Sequence, residues 1–294
     1  MLPSSHRFTV GAFACTAVAD GTFPYPPPAF AANVPAGDLE RALRERGRPT
    51  DQIVTPYTCL LIDTGRHRVL VDTGAGRFPP DWPQTTGNLV TNLRAAGVDP
   101  AEIDTVILSH GHADHIGGNL DASGKPAFPN ARFVMQRAEW EFWTSEPSLD
   151  DMHADEPTKD LLRSWARNNL PPIHDRVDLI EGADEIVPGV RAIPAPGHTP
   201  AHMGVEIASD GDVLLDLVDT ALDPLLLEHP TWTPALDLRP EQAAATRRRL
   251  LDRAADERAL VLLYHFPFPG LGRITHEGAG WRWDRSQPGE TFES

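Results

Sequence analysis

The sequence predicts an α/β fold, and three observations carry that expectation. Short apolar runs recur along the 294 residues in the lengths expected of strands. Between them lie segments whose apolar residues return at helical spacing. Four of the apolar runs end in a histidine or an aspartate, as happens where strand ends converge on a site.

In chain order, RFTVGAFACTAV (7–18) reads as a strand, FPYPPPAF (23–30) as a proline-broken loop and GDLERALRER (37–46) as a helix. YTCLLID (57–63) and HRVLVDTG (67–74) are strands, GNLVTNLRAAG (87–97) a helix, and TVILSH (105–110) and ARFVMQ (131–136) strands again. Helices RAEWEFWTS (137–145) and TKDLLRSWARNN (158–169) flank an acidic loop, SEPSLDDMHADEP (145–157). Both loops read as plain surface, with lids or subunit contacts as the functional alternative. VRAIPAPGH (190–198), MGVEIA (203–208) and DVLLDLVD (212–219) are strands, the last two joined by a hairpin at Asp210 and Gly211. PEQAAATRRRLLDRAADER (240–258) is a helix opened by Pro240, whose missing N–H costs nothing there, and by Glu241, which the helix dipole favours. Its Arg247, Arg248 and Arg249 read as a solvated face answered by Asp252, Asp256 and Glu257. ALVLLYH (259–265) closes the pattern as a strand.

With 26 basic and 42 acidic residues the formal charge is −16, which repels phosphate backbones and anionic membranes. Nucleic acid and membrane are therefore disfavoured partners. Cys15 and Cys59 lie far apart, outside any metal-ligand spacing, and read as reduced core thiols. No apolar run approaches the ~18 residues that span a bilayer, so a cytoplasmic location is expected. VGAFACTAVADG (10–21) as the core of an export signal is the alternative. No internal repeat or linker composition divides the chain, so one domain is expected over residues 1–294, with 1–35 as an arm or a lid. The proline-rich arm also motivates an expectation of a homodimer.

The densest chemistry is LSHGHADHIGG (108–118), which holds His110, His112, Asp114 and His115. Folding preference does not explain such density, because imidazole is a poor core residue and a mediocre helix former. His198 closes IPAPGH, Asp219 closes VLLDLVD and His265 closes LVLLYH. Neutral imidazole and carboxylate are ligands of zinc and similar divalent ions, and this set exceeds one tetrahedral site, which implies two metals. Asp212 and Asp216 compete with Asp219, but Asp212 belongs to the hairpin turn and Asp216 lies mid-strand. His153, His174, His229 and His276 have no partner pattern and read as surface or structure, whereas His202, four residues beyond His198, is a candidate donor behind a ligand. Aromatic residues in EWEFW (139–143), HPTW (229–232) and HFPFPG (265–270) suggest, as a set, the walls of an apolar substrate pocket; core packing is the alternative for each ring.

These residues resemble the metallo-β-lactamase superfamily, whose His-x-His-x-Asp-His signature is matched by His110, His112, Asp114 and His115. The later single histidine is matched by His198, the bridging aspartate by Asp219, the final histidine by His265, and the aspartate of VLVDTG by Asp72. The resemblance implies an αββα sandwich, two mixed β-sheets packed face to face with helices outside. It also implies the partition of ligands: His110, His112 and His198 on the first metal, Asp114, His115 and His265 on the second, Asp219 bridging. The flanks FPNARFVMQRAEWEFW (128–143), GHTPAHMGVEI (197–207) and HFPFPGLGRI (265–274) look like the branch holding methyl parathion hydrolases and acyl-homoserine lactonases. The shorter lactonases often carry a tyrosine that helps hold the substrate carbonyl, and no equivalent is evident here; Tyr264 precedes a ligand and is expected to face away.

Two divalent ions, most readily zinc with manganese, cobalt or iron as alternatives, can lower the pKa of shared water from about 15.7 to about 7. The expected function is therefore hydrolysis of lactones, esters or organophosphate triesters, with Asp114 guiding the proton to the leaving group. A phosphodiesterase or nuclease, or a thioesterase of the glyoxalase II type, is the alternative on the same fold. A non-catalytic metal scaffold would require lost ligands, and none is missing.

Overall fold

The computed structural model describes residues 4–77 and 82–285. Two seven-stranded sheets form its centre, each with its strands in chain order. The first holds β1 (Ser5–Val10), β2 (Phe13–Tyr25), β3 (Ile53–Asp63), β4 (Arg68–Val71), β5 (Thr105–Ile107), β6 (Arg132–Gln136) and β7 (Val177–Ile180). The second holds β8 (Glu185–Val187), β9 (Val190–Pro194), β10 (Met203–Ser209), β11 (Asp212–Asp216), β12 (Leu260–Leu262), β13 (Leu271–Glu277) and β14 (Gly280–Arg285). The helices are α1 (Ala36–Glu45), α2 (Leu89–Ala95), α3 (Ala113–Ile116), α4 (Arg137–Thr144), α5 (Glu156–Asn169), α6 (Leu225–Glu228) and α7 (Pro240–Asp256).

Alternation along the strands assigns each residue a layer. In β3, Leu60 and Ile62 turn inward to meet Val205, Ile207 and Leu214 of the other sheet. Cys59 and Leu61, one position off, turn outward under Leu93 of α2 and Leu162 of α5. The outer face of the second sheet, with Leu215 and Val261, is covered by Leu250, Leu251 and Ala254 of α7. The result is the expected αββα sandwich.

Both sheets are mixed. β4 to β7 are mutually parallel, while β1 to β3 form an antiparallel edge. In the second sheet β9 and β11 are both antiparallel to β10, and β12 is parallel to β11, so β9, β11 and β12 end at the same edge. Among the described residues no helix is long and apolar enough to cross a membrane.

Three expectations need correction. RFTVGAFACTAV is a hairpin rather than one strand, because Gly11 turns the chain at φ +53, where a side chain would meet the Ser209 carbonyl. FPYPPPAF is not wholly irregular: β2 pairs with β3 as far as Tyr25, and Pro27–Ala29 form a 3-10 turn. Among the described residues β1 pairs with β2 only as far as Val18, so one side of β2 has no described strand partner further on and tolerates Pro24. Arg247 is buried rather than solvated, since it lies one helical turn from Ala243 and Leu250 on the packed face of α7. Its guanidinium donates to the Trp232 and Pro230 carbonyls and so anchors the 230–232 turn.

One buried acid ties the first sheet to the loops around the site. Asp20 is the extra residue in the bulge between Ala19 and Gly21 of β2. Its carboxylate turns toward the helix layer and accepts from the backbone N–H groups of Ala75, Gly87 and Leu89 at 3.0, 3.0 and 2.9 Å. The last of these is an unpaired donor at the start of α2, where negative charge is favoured. Asp20→Ala would strand three donors. We expect a loss of at least about 3 kcal/mol in urea unfolding at unchanged m; a loss below about 1 kcal/mol would show that water replaces the carboxylate.

Candidate metal centre

The seven residues singled out from sequence lie together at one end of the sandwich. One group of potential ligand atoms comes from His110, His112, His198 and Asp219, another from Asp114, His115 and His265; within each, all atoms lie within 4.8 Å of one another. His110 follows β5, and His198, Asp219 and His265 follow β9, β11 and β12, so each lies a few residues past a strand end. His112 is the N-cap of α3, and Asp114 and His115 occupy its single turn. Gly117 and Gly118 end that turn because the 73–75 loop passes over them: a Cβ on either would stand 2.0 Å from the carbonyl oxygen of Ala75 or Thr73.

Asp219 is central. Its Oδ2 lies 3.2 Å from His198 Nε2, 3.3 Å from His115 Nε2 and 3.7 Å from His110 Nε2, and its Oδ1 is 3.3 Å from His265 Nε2. Asp114 reaches His115 and His265 at 3.7 and 3.4 Å. Asp216 is not in the cluster; its carboxylate accepts from the Val218 N–H. Val218 itself has φ +44, a strained conformation for a β-branched residue, directly before Asp219.

Behind the ligands a second set of bonds fixes the rings of His110, His115, His198 and His265. Asp72 accepts from Ser109 N and Oγ at 2.8 Å each and faces His115 Nδ1 at 2.7 Å. Ser109 Oγ also lies 3.0 Å from His110 Nδ1, Asp237 Oδ1 2.8 Å from His198 Nδ1, and the Pro56 carbonyl 3.3 Å from His265 Nδ1. His202 holds the Ala195 carbonyl at 3.0 Å by Nδ1 and takes the Asp219 N–H at Nε2. Burial, with His198 beside it, pushes His202 down to about 3, so the ring is neutral as that pairing requires.

The residues present fit a pair of cations. His110 Nε2, His115 Nε2 and Asp219 Oδ1 are buried with no hydrogen-bond partner, an arrangement that is costly unless a positive ion completes it, and His112 turns its Nδ1 to the same place, 3.0 Å from His198 Nε2. Burial holds His110 and His112 well below the usual histidine range, in the neutral form that binds metal. Burial also opposes charge on His115 and His198, yet neighbouring carboxylates outweigh it: Asp219, Asp114 and Asp72 raise His115 well above its ordinary value, and Asp219 with Asp237 raises His198 to about 9. The site draws positive charge to itself.

Glu139 was legible only as part of a helix, and it joins two ligand loops. Fully buried, it accepts from Gly111 N at 3.2 Å, Ala201 N at 2.8 Å and Trp143 Nε1 at 2.7 Å. A charged side chain on the apolar face of an aromatic helix was the available signal. Asp237 had none, because its partner His198 is 39 residues away.

A cavity of about 790 Å³ opens above His112 and Asp114. Its apolar walls include Phe23, Pro24, Trp82, Leu161, Leu162 and Leu236, and the expected surface loops supply part of its rim through Pro28, His153 and Asp155. The aromatic sets expected as walls are elsewhere. Trp143, Phe266 and Phe268 are core residues, and Trp232 packs beside α1 and α6. Tyr264 faces away from the cavity, and its hydroxyl donates to the Asp114 carbonyl at 2.6 Å.

Comparison with known proteins agrees with this geometry. The pattern of the metallo-beta-lactamase superfamily matches residues 53–265. An N-acyl homoserine lactonase from a Bacillus species is 29% identical over 235 residues, covering 74% of this chain and 84% of its own. Among solved structures, AidC, a dizinc quorum-quenching lactonase in complex with a product, has a TM-score of 0.89 at 27% identity and covers 99% of this chain and 100% of its own. The hydrolase AbOPH has a TM-score of 0.88 at 22% identity over 100% of both chains, a likeness of fold. Since the matched segment runs from the start of β3 to the last histidine of the cluster, the chain belongs to the metallo-beta-lactamase superfamily.

Proposed function

We propose that this protein is a dinuclear metal-dependent hydrolase that opens N-acyl homoserine lactones. The observation that carries the reading is the pair of ligand groups meeting at Asp219 on the floor of an apolar cavity. The lactonase relatives, similar over most of their length, support the choice of substrate.

His110, His112 and His198 would hold one ion, Asp114, His115 and His265 the other, with Asp219 between them; zinc suits this donor set. When bound, the ions supply a nucleophile from water at neutral pH and polarise the carbonyl under attack. The chain's own residues do the rest. Asp72, Asp237, Ser109 and Pro56 fix the ligand rings, so that little reorganisation is needed during reaction. Opening a lactone joins water's oxygen to the carbonyl carbon and breaks the ring C–O bond, so the ring oxygen must gain a proton. Asp114 Oδ2 is placed to guide it, because its side chain is 14% exposed at the cavity floor, against 3% for Asp219. The apolar walls receive the acyl tail and exclude water. A chain of charge −16 repels polyanionic substrates.

Asp219→Asn removes the shared charge and one good ligand oxygen. We expect metal content to fall from about two ions per chain toward one, read by elemental analysis, and activity to fall at least 10²-fold, the order seen when a main electrostatic stabiliser is lost. Two retained ions with near-normal turnover would place the bridge elsewhere.

A turnover panel on zinc-loaded protein tests the substrate class. N-acyl homoserine lactones should exceed aryl esters, an aryl phosphotriester, a cephalosporin and a thioester in kcat/KM, and all carbonyl substrates should exceed bis(p-nitrophenyl) phosphate. Faster cleavage of the phosphodiester than of every lactone would overturn the reading.

A further inference from the structure

The cavity narrows at its floor into a recess of about 20 Å³ that reaches Asp219 and His265. Five described residues border both spaces: Tyr25, Ala29, His112, Asp114 and Leu236. His112 and Asp114 belong to the cluster, and Ala29 and Leu236 offer only hydrocarbon. Tyr25 alone brings a hydrogen-bonding side chain to this junction without belonging to the cluster.

Its hydroxyl lies 2.6 Å from that of Tyr57. Tyr57 is fully buried against His265, with ring centroids 5.4 Å apart. A buried phenol left with an undonated proton is costly, so Tyr57 donates to Tyr25 and the Tyr25 oxygen accepts. That leaves the Tyr25 proton free for whatever lies at the junction. Burial, with the Asp114 charge next, keeps this phenol well above its usual range, so it donates without ionising.

The inference rests on the lactonase reading. An N-acyl homoserine lactone carries an apolar tail, an amide and a lactone ring in line. With the tail in the large cavity and the ring carbonyl at the cluster, the amide falls at the junction. We propose that Tyr25 donates a hydrogen bond to the amide carbonyl of the substrate and so sets the preference for N-acyl homoserine lactones over alkyl lactones that lack the amide. Tyr25 transfers no proton; it binds and selects.

The test compares the unaltered protein with Tyr25→Phe, both zinc-loaded, on N-hexanoyl homoserine lactone and on γ-decalactone, whose tail has no amide. The ratio of kcat/KM for the first over the second should fall about three- to tenfold in Tyr25→Phe, the size of one net hydrogen bond, and should do so through KM rather than kcat. The Kd of the product N-hexanoyl-homoserine, read by calorimetry, should weaken by the same factor. An equal loss on both lactones, as damage to the cluster would cause, overturns the assignment, and so does an unchanged ratio. If the unaltered protein opens neither lactone, the lactonase reading itself fails, a result distinct from either.

Discussion

The rest of the site depends on one buried carboxylate. Asp219 is almost inaccessible, and its two oxygens face four imidazoles. A carboxylate in such a place is costly without compensating charge. The imidazoles would repel one another if all were protonated, and burial already holds His110 and His112 neutral. Neither half of the arrangement is stable without positive charge between them, which is why the cluster reads as a cation site. The backbone yields to this requirement. Val218 takes a left-handed conformation whose cost is of the order of 1–3 kcal/mol. It is held there by Asp216 on its N–H and by the bond from Leu217 N to the Leu262 carbonyl.

Strand direction explains how residues from distant segments reach Asp219. β9, β11 and β12 are mutually parallel, so the loops after all three leave the second sheet at one edge. β5 lies in the other sheet and delivers the 109–116 segment to the same end. Loops that only met there would be loosely placed, and buried acids join them instead. Glu139 bonds the 110–112 loop to the 198–202 loop, and Asp72 bonds the end of β4 to Ser109 and His115. Each acid is compensated by backbone or ring N–H groups, as buried polar groups must be.

How much of this was legible follows from how local each signal is. The strands and helices were readable because their periodicity is a property of neighbouring residues. The metal-capable residues were readable because each closes an apolar run or sits in one dense motif. The fixing residues were less so: Asp72 came only from family resemblance, and Asp237 and Glu139 join loops through contacts 28 to 62 residues away in sequence. Arg247 misled because three adjacent arginines resemble a solvated face, while helix geometry turns the first of them inward. The aromatic clusters misled for a related reason. Their density along the chain does not say which face of a strand or helix they occupy, and Phe266 and Phe268, two residues apart, enter different cores.

Cluster and cavity wall therefore have separate structural origins. The ligands hang from the ends of central strands whose displacement would open the sandwich core. The walls come from the end of β2, from α5 and from the 153–155 and 235–236 segments. A change at Phe23 or Leu161 alters the shape offered to a substrate without touching a ring that faces Asp219. The cavity can thus vary in the substrates it accepts while the hydrolytic centre stays fixed. The exception is the junction, where Tyr25 on the wall hydrogen-bonds to Tyr57, itself packed against His265. There a change in the wall is felt by the cluster, and there the two parts of the site must have been fitted to each other.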